Sequence, residues 1–504
     1  MRFSRSANRR LSPAAPDGPR RAGTALILAV VLASVAACGG SGSDTTAANT
    51  TDSQSVTETG EPQPGESPAV APALEPGQDV PSAAPAAPGG GDSTVAAPSS
   101  TPKAGASAAP VTAPLPGSAQ AVKPQKCTGS EAQIAIGTVG IQSGVVGGLY
   151  RNGVKALQAW VSSINDQGGI ACHKIKHLIG DDGNDPARNQ ALVRQFVEQD
   201  HVVAFVFNGA PLSGQASRDY LNQKNIPVIG QEGGQMFWYD SPMHFPVTSN
   251  GKMMQYITAA SAIDTFMAKG AKKAAAITCE EAEYCRTGQD NMAKPWTDAG
   301  GQIVYKAQGS LVQPDFTAQC LGAKNAGAEV ILGAFDAQSF HRLKSSCARV
   351  GYHPYLASSS IQSQDTFKDD PNMEGDVVGM NNAPWFRADI PGVARYQATI
   401  LKYLRNVPSD AAGIIGWGAA LAFEHAAKKT FKSSQTPTTK DVLDGLYALN
   451  GDNLEGVTYP LYFKAGQAKK EVGCYWPILV GKGKFLNDTP MRCMKGYQPQ
   501  GPAK

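Results

Sequence analysis

The sequence predicts an α/β protein of two lobes, each built on a doubly wound parallel sheet and preceded by a disordered tether. Three observations lead to this fold class. Short β-rich apolar segments alternate with segments of helical periodicity from about residue 133 onward. This alternation restarts near Met253, which indicates a second lobe. Of the 37 Phe, Trp and Tyr residues, 36 lie within residues 127–504, so the folding unit is confined to that part of the chain.

The first 37 residues have the composition of a secretory signal peptide. A basic region at residues 2–21 precedes an apolar stretch, residues 25–35, that is too short to span a membrane comfortably. The stretch ends in Val35-Ala36-Ala37-Cys38, which resembles the lipobox of bacterial lipoproteins, whose cysteine is diacylated and becomes the new N-terminus. Plain cleavage near Ala37 is the alternative, in which Cys38 is incidental. We favour the lipoprotein and expect Cys38 to anchor an exported protein to the outer face of the bacterial cell membrane.

The composition of residues 38–126 predicts a disordered tether between that anchor and the folded part of the chain. Residues 39–126 contain no aromatic residue and no cysteine, and 14 of these 88 positions are proline. Such a composition buries too little apolar surface to offset the entropy of ordering the chain. A random coil of this length spans roughly 50 Å, which would hold a folded domain away from the membrane. Low-complexity drift is the other explanation, and both are compatible with disorder.

The cysteine count supports export independently. Without Cys38, eight of the nine cysteines remain, an even number that is typical of an oxidising compartment. Their grouping along the chain favours four pairs: Cys127/Cys172, Cys279/Cys285, Cys320/Cys347 and Cys474/Cys493. The first two cysteines each precede a predicted strand, so both are expected at the same edge of neighbouring strands. A metal site is the rival interpretation, and the sequence has neither CxxC nor a Cys/His cluster at ligand spacing.

The first run of elements begins with a β-rich segment at residues 133–137. Helical spacing of apolar residues follows over 154–164 and ends at Gly168-Gly169. A second strand at 175–179 leads into a polar loop, where Pro186 suits the first turn of the next helix. Further strands are predicted at 202–207 and 226–229.

The second run repeats this order. A helix is predicted near residues 253–267, and strands follow it, with helical stretches between them, at 274–278, 303–305, 330–332 and 355–357. Strands separated by helices of this length form parallel sheets with right-handed crossovers. Two such runs predict two α/β lobes.

Residues 131–485 contain several short motifs in a definite order: Asn152-Gly153, residues 164–170 (INDQGGI), Asp181-Asp182 with Asp185-Pro186, residues 225–228 (NIPV), 272–276 (KKAAA) and 456–461 (GVTYPL). In their order and spacing, these motifs resemble type I periplasmic binding proteins of the leucine/isoleucine/valine-binding family, the substrate-binding components of ABC importers. The resemblance implies a hinge of three crossing segments, here near residues 247–248, 375–379 and 456–462. It places residues 127–248 and 376–457 in lobe 1, and residues 249–375 and 458–504, with a C-terminal hairpin, in lobe 2.

The sequence offers little support for catalysis, a cofactor or nucleic-acid binding. It lacks GxSxG, HExxH and Walker A motifs, and the glycines after the first strand do not follow GxGxxG spacing. The acidic loop at 181–185 is expected to cap a helix rather than bind calcium. The net charge of +3 becomes −2 without residues 1–37, so no basic excess marks a nucleic-acid protein. We expect no enzyme activity, no metal and no cofactor.

Ligands of open α/β sheets bind beyond the carboxyl ends of the strands, and two lobes place those ends across a cleft. This nominates thirteen binding residues: Ser143, Gly144, Asn208, Gly209, Ala210, Gln231, Glu232, Gly233, Tyr284, Phe335, Asp336, Ser359 and Trp385. Phe207 and Phe335, near strand ends, are equally compatible with the core. For Trp238 and Trp385, in predicted loops, we favour the cleft or its rim.

The predicted ligand departs from the family's amino acids. The resemblance implies that the first lobe holds a ligand carboxylate with hydroxyls and backbone amides, and that the second lobe holds the ammonium with an acidic residue and aromatics. Here Asn208-Gly209-Ala210 lacks the usual serine, Ser359 or a neighbour replaces the acidic residue, and Tyr284 matches a family aromatic. Glu232 would repel a carboxylate, and these loops contain no Arg or Lys to compensate. We therefore disfavour a free branched-chain amino acid and expect a polar or amine-bearing molecule with an apolar or aromatic part, its hydroxyls or amine facing Glu232 and Asp336.

The sequence therefore predicts a lipid-anchored, monomeric solute-binding protein that passes a small molecule to ABC permease subunits. A ligand-sensing receptor of the same fold, acting on a membrane partner, is one alternative. The absence of a transmembrane and signalling segment favours transport over sensing. An exported hydrolase is the other alternative, and the missing nucleophile and metal motifs count against it.

Overall fold

The computed structural model describes residues 127–129, 131–231, 234–405, 407–467 and 469–499. The predicted signal peptide, Cys38, the tether, Glu232 and Gly233 lie outside the described residues. Within the described part of the chain, no helix is both long and apolar enough to cross a membrane.

The first sheet is wholly parallel, with strand order β2-β1-β3-β4-β5. Its strands are β1 (Ile134–Gly140), β2 (Ile175–Asp181), β3 (Ala204–Asn208), β4 (Val228–Gln231) and β5 (His244–Phe245). The helices between them are α1 (Gly144–Gly147), α2 (Arg151–Asp166), α3 (Pro186–Glu198) and α4 (Gln215–Lys224). As predicted, the acidic loop caps a helix: the Asp185 carboxylate accepts a hydrogen bond from the Arg188 backbone amide at 2.8 Å, and Pro186 begins α3.

The second sheet begins with five parallel strands in the order β7-β6-β8-β9-β10. They are β6 (Lys273–Cys279), β7 (Gln302–Gly309), β8 (Val330–Ala334), β9 (Tyr355–Ser359) and β10 (Val377–Met380). The accompanying helices are α5 (Gly251–Thr265), α6 (Glu283–Asp298), α7 (Thr317–Asn325) and α8 (Ala337–Arg349).

The chain then returns to the first lobe. The elements there are α9 (Pro391–Tyr403), α10 (Ala411–Thr430), α11 (Thr439–Tyr447) and a two-stranded antiparallel pair, β11 (Asn450–Asp452) and β12 (Leu461–Tyr462). The last strands, β13 (Cys474–Gly481), β14 (Lys484–Leu486) and β15 (Arg492–Cys493), add an antiparallel edge to the second sheet beside β10.

The strand pairing corrects two predicted lobe boundaries. Residues 458–504 were assigned to lobe 2, but β12 pairs with β11 of the first lobe, so the chain enters the second lobe only after Tyr462. We placed residues 376–457 in the first lobe, but β10 pairs in parallel with β9 of the second sheet, with Val377 opposite Ala357. The apolar side chains of β10 are buried there, so the chain leaves the second lobe only after Met380. The crossing predicted at 375–379 therefore lies at residues 381–390.

Within the described residues the chain crosses between the lobes three times, as predicted, and hydrogen bonds tie the crossing segments together. The Val247 carbonyl accepts from Asn382 Nδ2 at 3.0 Å and from Thr458 Oγ1 at 2.8 Å. Ser249 Oγ donates to the Val472 carbonyl at 2.6 Å. Side-chain donors on backbone carbonyls join these segments without adding strands to either sheet, which leaves a narrow connection suited to hinge bending.

Close backbone contact holds α10 against α2 in the first lobe. Both helices carry glycine at the crossing, Gly153 and Gly416, so their backbones approach without intervening side chains. Nearby, the buried Glu424 carboxylate accepts from Trp160 Nε1 at 2.7 Å and pairs with Arg395 at 2.6 Å. This arrangement satisfies a charge that would be costly to bury alone.

The four disulfides that we predicted are all present. Cys127–Cys172 joins the segments preceding β1 and β2, and Cys474–Cys493 joins β13 to β15. Cys320–Cys347 links α7 to α8, and Cys279–Cys285 links the end of β6 to the start of α6.

Candidate functional site

A cavity of about 110 Å³ lies between the two lobes, where the loops after β1, β3, β4, β6, β7, β8 and β9 meet. We call it the inner cavity. Most of the side chains that enclose it are apolar, including Leu149 and Leu212 of the first lobe and Met254, Leu311, Phe335 and Ile361 on the facing side. Both lobes supply walls, so hinge closure would bury whatever occupies it.

Tyr284 brings a hydroxyl to the inner cavity. Its hydroxyl lies 3.3 Å from Ser359 Oγ, and Ser359 Oγ in turn donates to Gln362 Oε1 at 2.9 Å. The Tyr284 carbonyl accepts from Gln255 Nε2 at 2.5 Å, which fixes this first turn of α6 on α5. Burial raises the pKa of Tyr284 to about 12, so the hydroxyl is neutral; with its proton directed to Ser359, its oxygen can accept a hydrogen bond from a ligand.

Two acidic residues line the inner cavity, and both already have partners. The Asp336 carboxylate caps α8 by accepting from the backbone amides of Gln338 at 2.9 Å and Ser339 at 3.2 Å. Glu281 accepts from Ser310 Oγ at 2.7 Å and the Leu311 amide at 2.6 Å. Partial burial raises the pKa of Glu281, but these hydrogen bonds outweigh it and the pKa is lowered. Both carboxylates therefore already bind other groups, and Asp336, which we expected to face a hydroxyl or amine of the ligand, also acts as a helix cap.

Among the predicted residues whose side chains the structure describes, three line the inner cavity: Tyr284, Phe335 and Asp336. Phe335 lies in both of the environments that we considered for it, the cavity wall and the core. It lines the cavity, and its ring packs edge-to-face against Phe316 with the ring centroids 5.2 Å apart. Ser359 stands behind the Tyr284 hydroxyl.

Other predicted residues support the cavity from behind or lie outside its lining. Asn208 joins β3 to β1, since its Oδ1 accepts from the Val139 amide at 3.0 Å. Gly209 backs the ring of Tyr150, and a Cβ there would lie 2.7 Å from that ring. Ala210 is buried and Ser143 and Gly144 are exposed, and these three are not among the described lining residues; the Gln231 backbone ends β4.

The structure does not place the tryptophans in the cleft. Trp385 is buried, with its ring 4.9 Å from Phe485 of β14 and 5.6 Å from Phe386. Trp238 is buried with its ring 4.3 Å from His244. Both predictions assumed that loop residues stay near the surface, but these loops fold back onto apolar layers.

The inner cavity adjoins a second space of about 460 Å³, which we call the outer chamber. Leu149, Leu311 and Asp336 line both spaces. The outer chamber adds polar side chains, namely Gln313, Gln338, Gln364 and Arg342. We had expected no basic residue near the site, because Arg342 lies inside α8 and not in a strand-end loop.

Sequence reasoning missed most of the apolar lining. Leu212 and Ile361 follow β3 and β9 closely, so strand ends alone were a sufficient signal for them. Met254 lies on a helix that is buried almost throughout, where nothing in the sequence separates a cavity wall from ordinary core.

Comparisons with known proteins agree with this architecture. Residues 133–482 match the family model for periplasmic binding proteins. No curated protein matches the sequence. The fold is similar to a fatty acid ABC transporter substrate-binding protein from Thermomonospora curvata, with 16% identity and a TM-score of 0.62 over 73% of this chain and 95% of that chain.

Two further solved structures show the same likeness. One is a solute binding protein of an ABC transporter from R. palustris in complex with benzoate, with 15% identity and a TM-score of 0.61 over 73% of this chain and 99% of that chain. The other is LivJ from Streptococcus pneumoniae in complex with isoleucine, with 18% identity and a TM-score of 0.58 over 72% of this chain and 99% of that chain. Identities this low show a shared fold and leave the ligand open. Since the family model covers more than half of the sequence, the chain belongs to the periplasmic binding protein family.

Proposed function

We propose that this protein is an exported solute-binding protein that captures a small organic molecule between its lobes and delivers it to an ABC importer. The observation that carries the proposal is the inner cavity, whose walls come from both lobes and are mostly apolar. The ligand therefore has an apolar or aromatic part that occupies this space.

The size of the inner cavity limits that part to one ring or a short alkyl segment. Its volume of about 110 Å³ is somewhat below the roughly 150 Å³ of an engineered apolar cavity that binds benzene. Leu212, on the first-lobe wall, is 48% exposed, so closure onto a ligand would remove further apolar surface from water. Such burial is a source of affinity for the closed form.

A free branched-chain amino acid fits this cavity poorly. None of its described lining residues is basic, so a ligand carboxylate inside it would find no cation. The named relatives include a fatty acid transporter component and a benzoate complex, and both molecules have a substantial apolar part. We propose an apolar or aromatic compound with a separate polar group.

We also propose that the folded domain is held at the membrane by a lipid on Cys38 and acts as a monomer beside the permease. The lipobox-like Val35-Ala36-Ala37-Cys38 supports this anchor. A Cys38→Ala protein is expected to leave the membrane fraction when cells are fractionated. Its continued sedimentation with membranes would contradict lipidation at this residue.

The binding proposal is tested by native mass spectrometry of the purified protein for a co-purified ligand, followed by calorimetry with a panel of aromatic and aliphatic compounds. Ala282 lines the inner cavity in extended backbone conformation, so Ala282→Leu adds bulk there with little strain. It is expected to weaken binding about tenfold or more, because added carbons displace a ligand from so small a space. Ala318→Leu, on the exposed surface of α7, is the matched control and should bind as wild type. Equal affinity in both variants would contradict the assignment of this cavity.

A further inference from the structure

The outer chamber differs in chemistry from the inner cavity that it adjoins. Leu149, Leu311 and Asp336 belong to both linings, so the two spaces meet at a passage lined by two leucines and one aspartate. Beyond that passage the chamber presents the amides of Gln313, Gln338 and Gln364. A molecule that extends from one space into the other therefore passes from an apolar to a polar environment.

Arg342 is the basic residue of this lining, and its hydrogen-bond partners within the described chain are all neutral. Its Nε donates to the Gln313 carbonyl at 3.1 Å, and its Nη2 donates to the Leu311 carbonyl at 2.7 Å and to Ser339 Oγ at 2.8 Å. No carboxylate of the described residues forms an ion pair with it, and its Nη1 has no hydrogen-bond partner there. The guanidinium is thus oriented by carbonyls and keeps donors available.

Asp336 also faces the chamber, but its negative charge is locally compensated. One oxygen accepts from the amides of Gln338 and Ser339 at the N-terminus of α8, and the other accepts from Ser339 Oγ. A carboxylate at this position is stabilised by the helix dipole as well as by those bonds. Arg342 and Asp336 are thus the two charged side chains of the described chamber lining, joined through Ser339 Oγ, and Arg342 Nη1 is a donor that no described residue engages.

We propose that the ligand is an amphipathic organic anion, whose ring or short alkyl part occupies the inner cavity and whose carboxylate or similar anionic end binds Arg342 in the outer chamber. This inference rests on the proposed function and names the ligand class for the same cleft. It differs from the expectation of an amine facing Glu232 and Asp336: Asp336 serves as a helix cap, and Glu232 lies outside the described residues.

The test uses paired probes that differ only in charge: benzoate, phenylpropanoate and phenylpentanoate, each with its neutral amide, measured by calorimetry on the wild-type protein. The acid is expected to bind more tightly than the amide once the chain is long enough to reach Arg342, by about tenfold or more, because hydrogen bonds to a charged group are strong. Benzoate, which fits the inner cavity alone, should show little preference over benzamide. The preference should fall as salt is added.

Variants on α8 test whether Arg342 causes the preference for the acid over its amide. Arg342→Gln should remove it and Arg342→Lys should retain most of it. Arg349→Gln is the control, because it removes a positive charge from the same helix at a surface ion pair with Asp315 and should leave the preference unchanged. Acid and amide are compared within one variant, so a change in stability affects both measurements alike.

The outcomes separate this inference from the proposed function. If wild type binds an acid and its amide equally, or if Arg342→Gln keeps the preference, the anion site is refuted while the binding function stands. If no acid and no amide binds to wild type, and native mass spectrometry finds no co-purified ligand, both proposals fail together.

Discussion

Gly416→Ala is expected to destabilise the protein at the contact between α10 and α2. A Cβ on Gly416 would lie 2.3 Å from the Gly153 carbonyl oxygen and 2.7 Å from the Gly153 Cα. A Cβ atom essentially never lies within 3.0 Å of a non-bonded heavy atom from another part of the chain. The two helices must therefore separate by at least 0.7 Å at this contact. Both contacts are to backbone, and no change of rotamer relieves them.

The magnitude follows from two opposing effects. Overpacking a close contact costs about 1–3 kcal/mol, and alanine gains up to about 1 kcal/mol over glycine in helix propensity. Because α10 also packs on α11 and β4, it cannot move freely away from α2, which favours the upper part of the cost. We expect a net loss of about 2 kcal/mol in the free energy of unfolding.

Gly418→Ala, two residues further along α10, is the matched control. A Cβ there would lie 3.5 Å from Val457 Cγ1 and 3.6 Å from Val247 Cγ2, which are ordinary van der Waals contacts. This change should stabilise the protein by up to about 1 kcal/mol through helix propensity. Urea unfolding followed by tryptophan fluorescence measures both variants at constant m-value. A Gly416→Ala protein as stable as Gly418→Ala would refute the reasoning.

Three further predictions concern stability. His425 hydrogen-bonds Asp452 at 2.9 Å and lies 3.5 Å from Glu455; burial lowers its pKa, but these carboxylates outweigh burial and raise it to about 9. Because the folded value exceeds the unfolded value of about 6.5, this contribution of at most about 3 kcal/mol is complete below pH 6.5 and is lost as pH rises through 9. His425→Gln should flatten that part of a urea-midpoint profile against pH, and an unchanged slope would contradict the assignment. Lys344→Met should lower the free energy of unfolding by about 3–5 kcal/mol, because it leaves the buried Asp376 carboxylate, 2.9 Å from Lys344 Nζ, without its cation. Urea unfolding measures this loss. A loss below about 1 kcal/mol would show that the ion pair is dispensable for stability. Replacing both Cys127 and Cys172, which are 45 residues apart, by serine should lower the free energy of unfolding by about 4 kcal/mol. The same replacement of Cys279 and Cys285, which are six residues apart, should lower it by about 2 kcal/mol. A lower urea midpoint for the second variant than for the first would refute the loop-entropy reasoning.

The fold could be predicted because its signals are local. Alternating apolar segments gave the strands β1 to β4 and β6 to β9, and Asp185-Pro186 marked the start of α3. The two-residue strand β5 and the edge strands β14 and β15 were not predicted individually, since segments this short carry no periodicity. The strand β10 was assigned to the wrong lobe, because four apolar residues carry no sequence signal that distinguishes one parallel sheet from the other.

The site could be predicted only in outline. Strand-end loops located Tyr284, Phe335 and Asp336, because parallel strands end at a common edge. Arg342 lies on a helix, and its role depends on the loop that approaches it from β7 and binds its guanidinium. The partners of Asp336 come from its own helix, so its capping role was visible in the sequence as an acid directly before a helical segment.

By itself, the sequence determined the α/β class and the two runs of elements, and it favoured the four cysteine pairs that the structure contains. These follow from the spacing of apolar residues, from turn residues and from cysteine positions, which act over short stretches of chain. The tertiary structure decided which strand-end residues face the cleft, that Trp238 and Trp385 belong to the core, and that Arg342 lies beside the cavity and forms no ion pair with a described carboxylate. Those properties depend on contacts between segments up to several hundred residues apart, and such contacts exist only after the two lobes have folded.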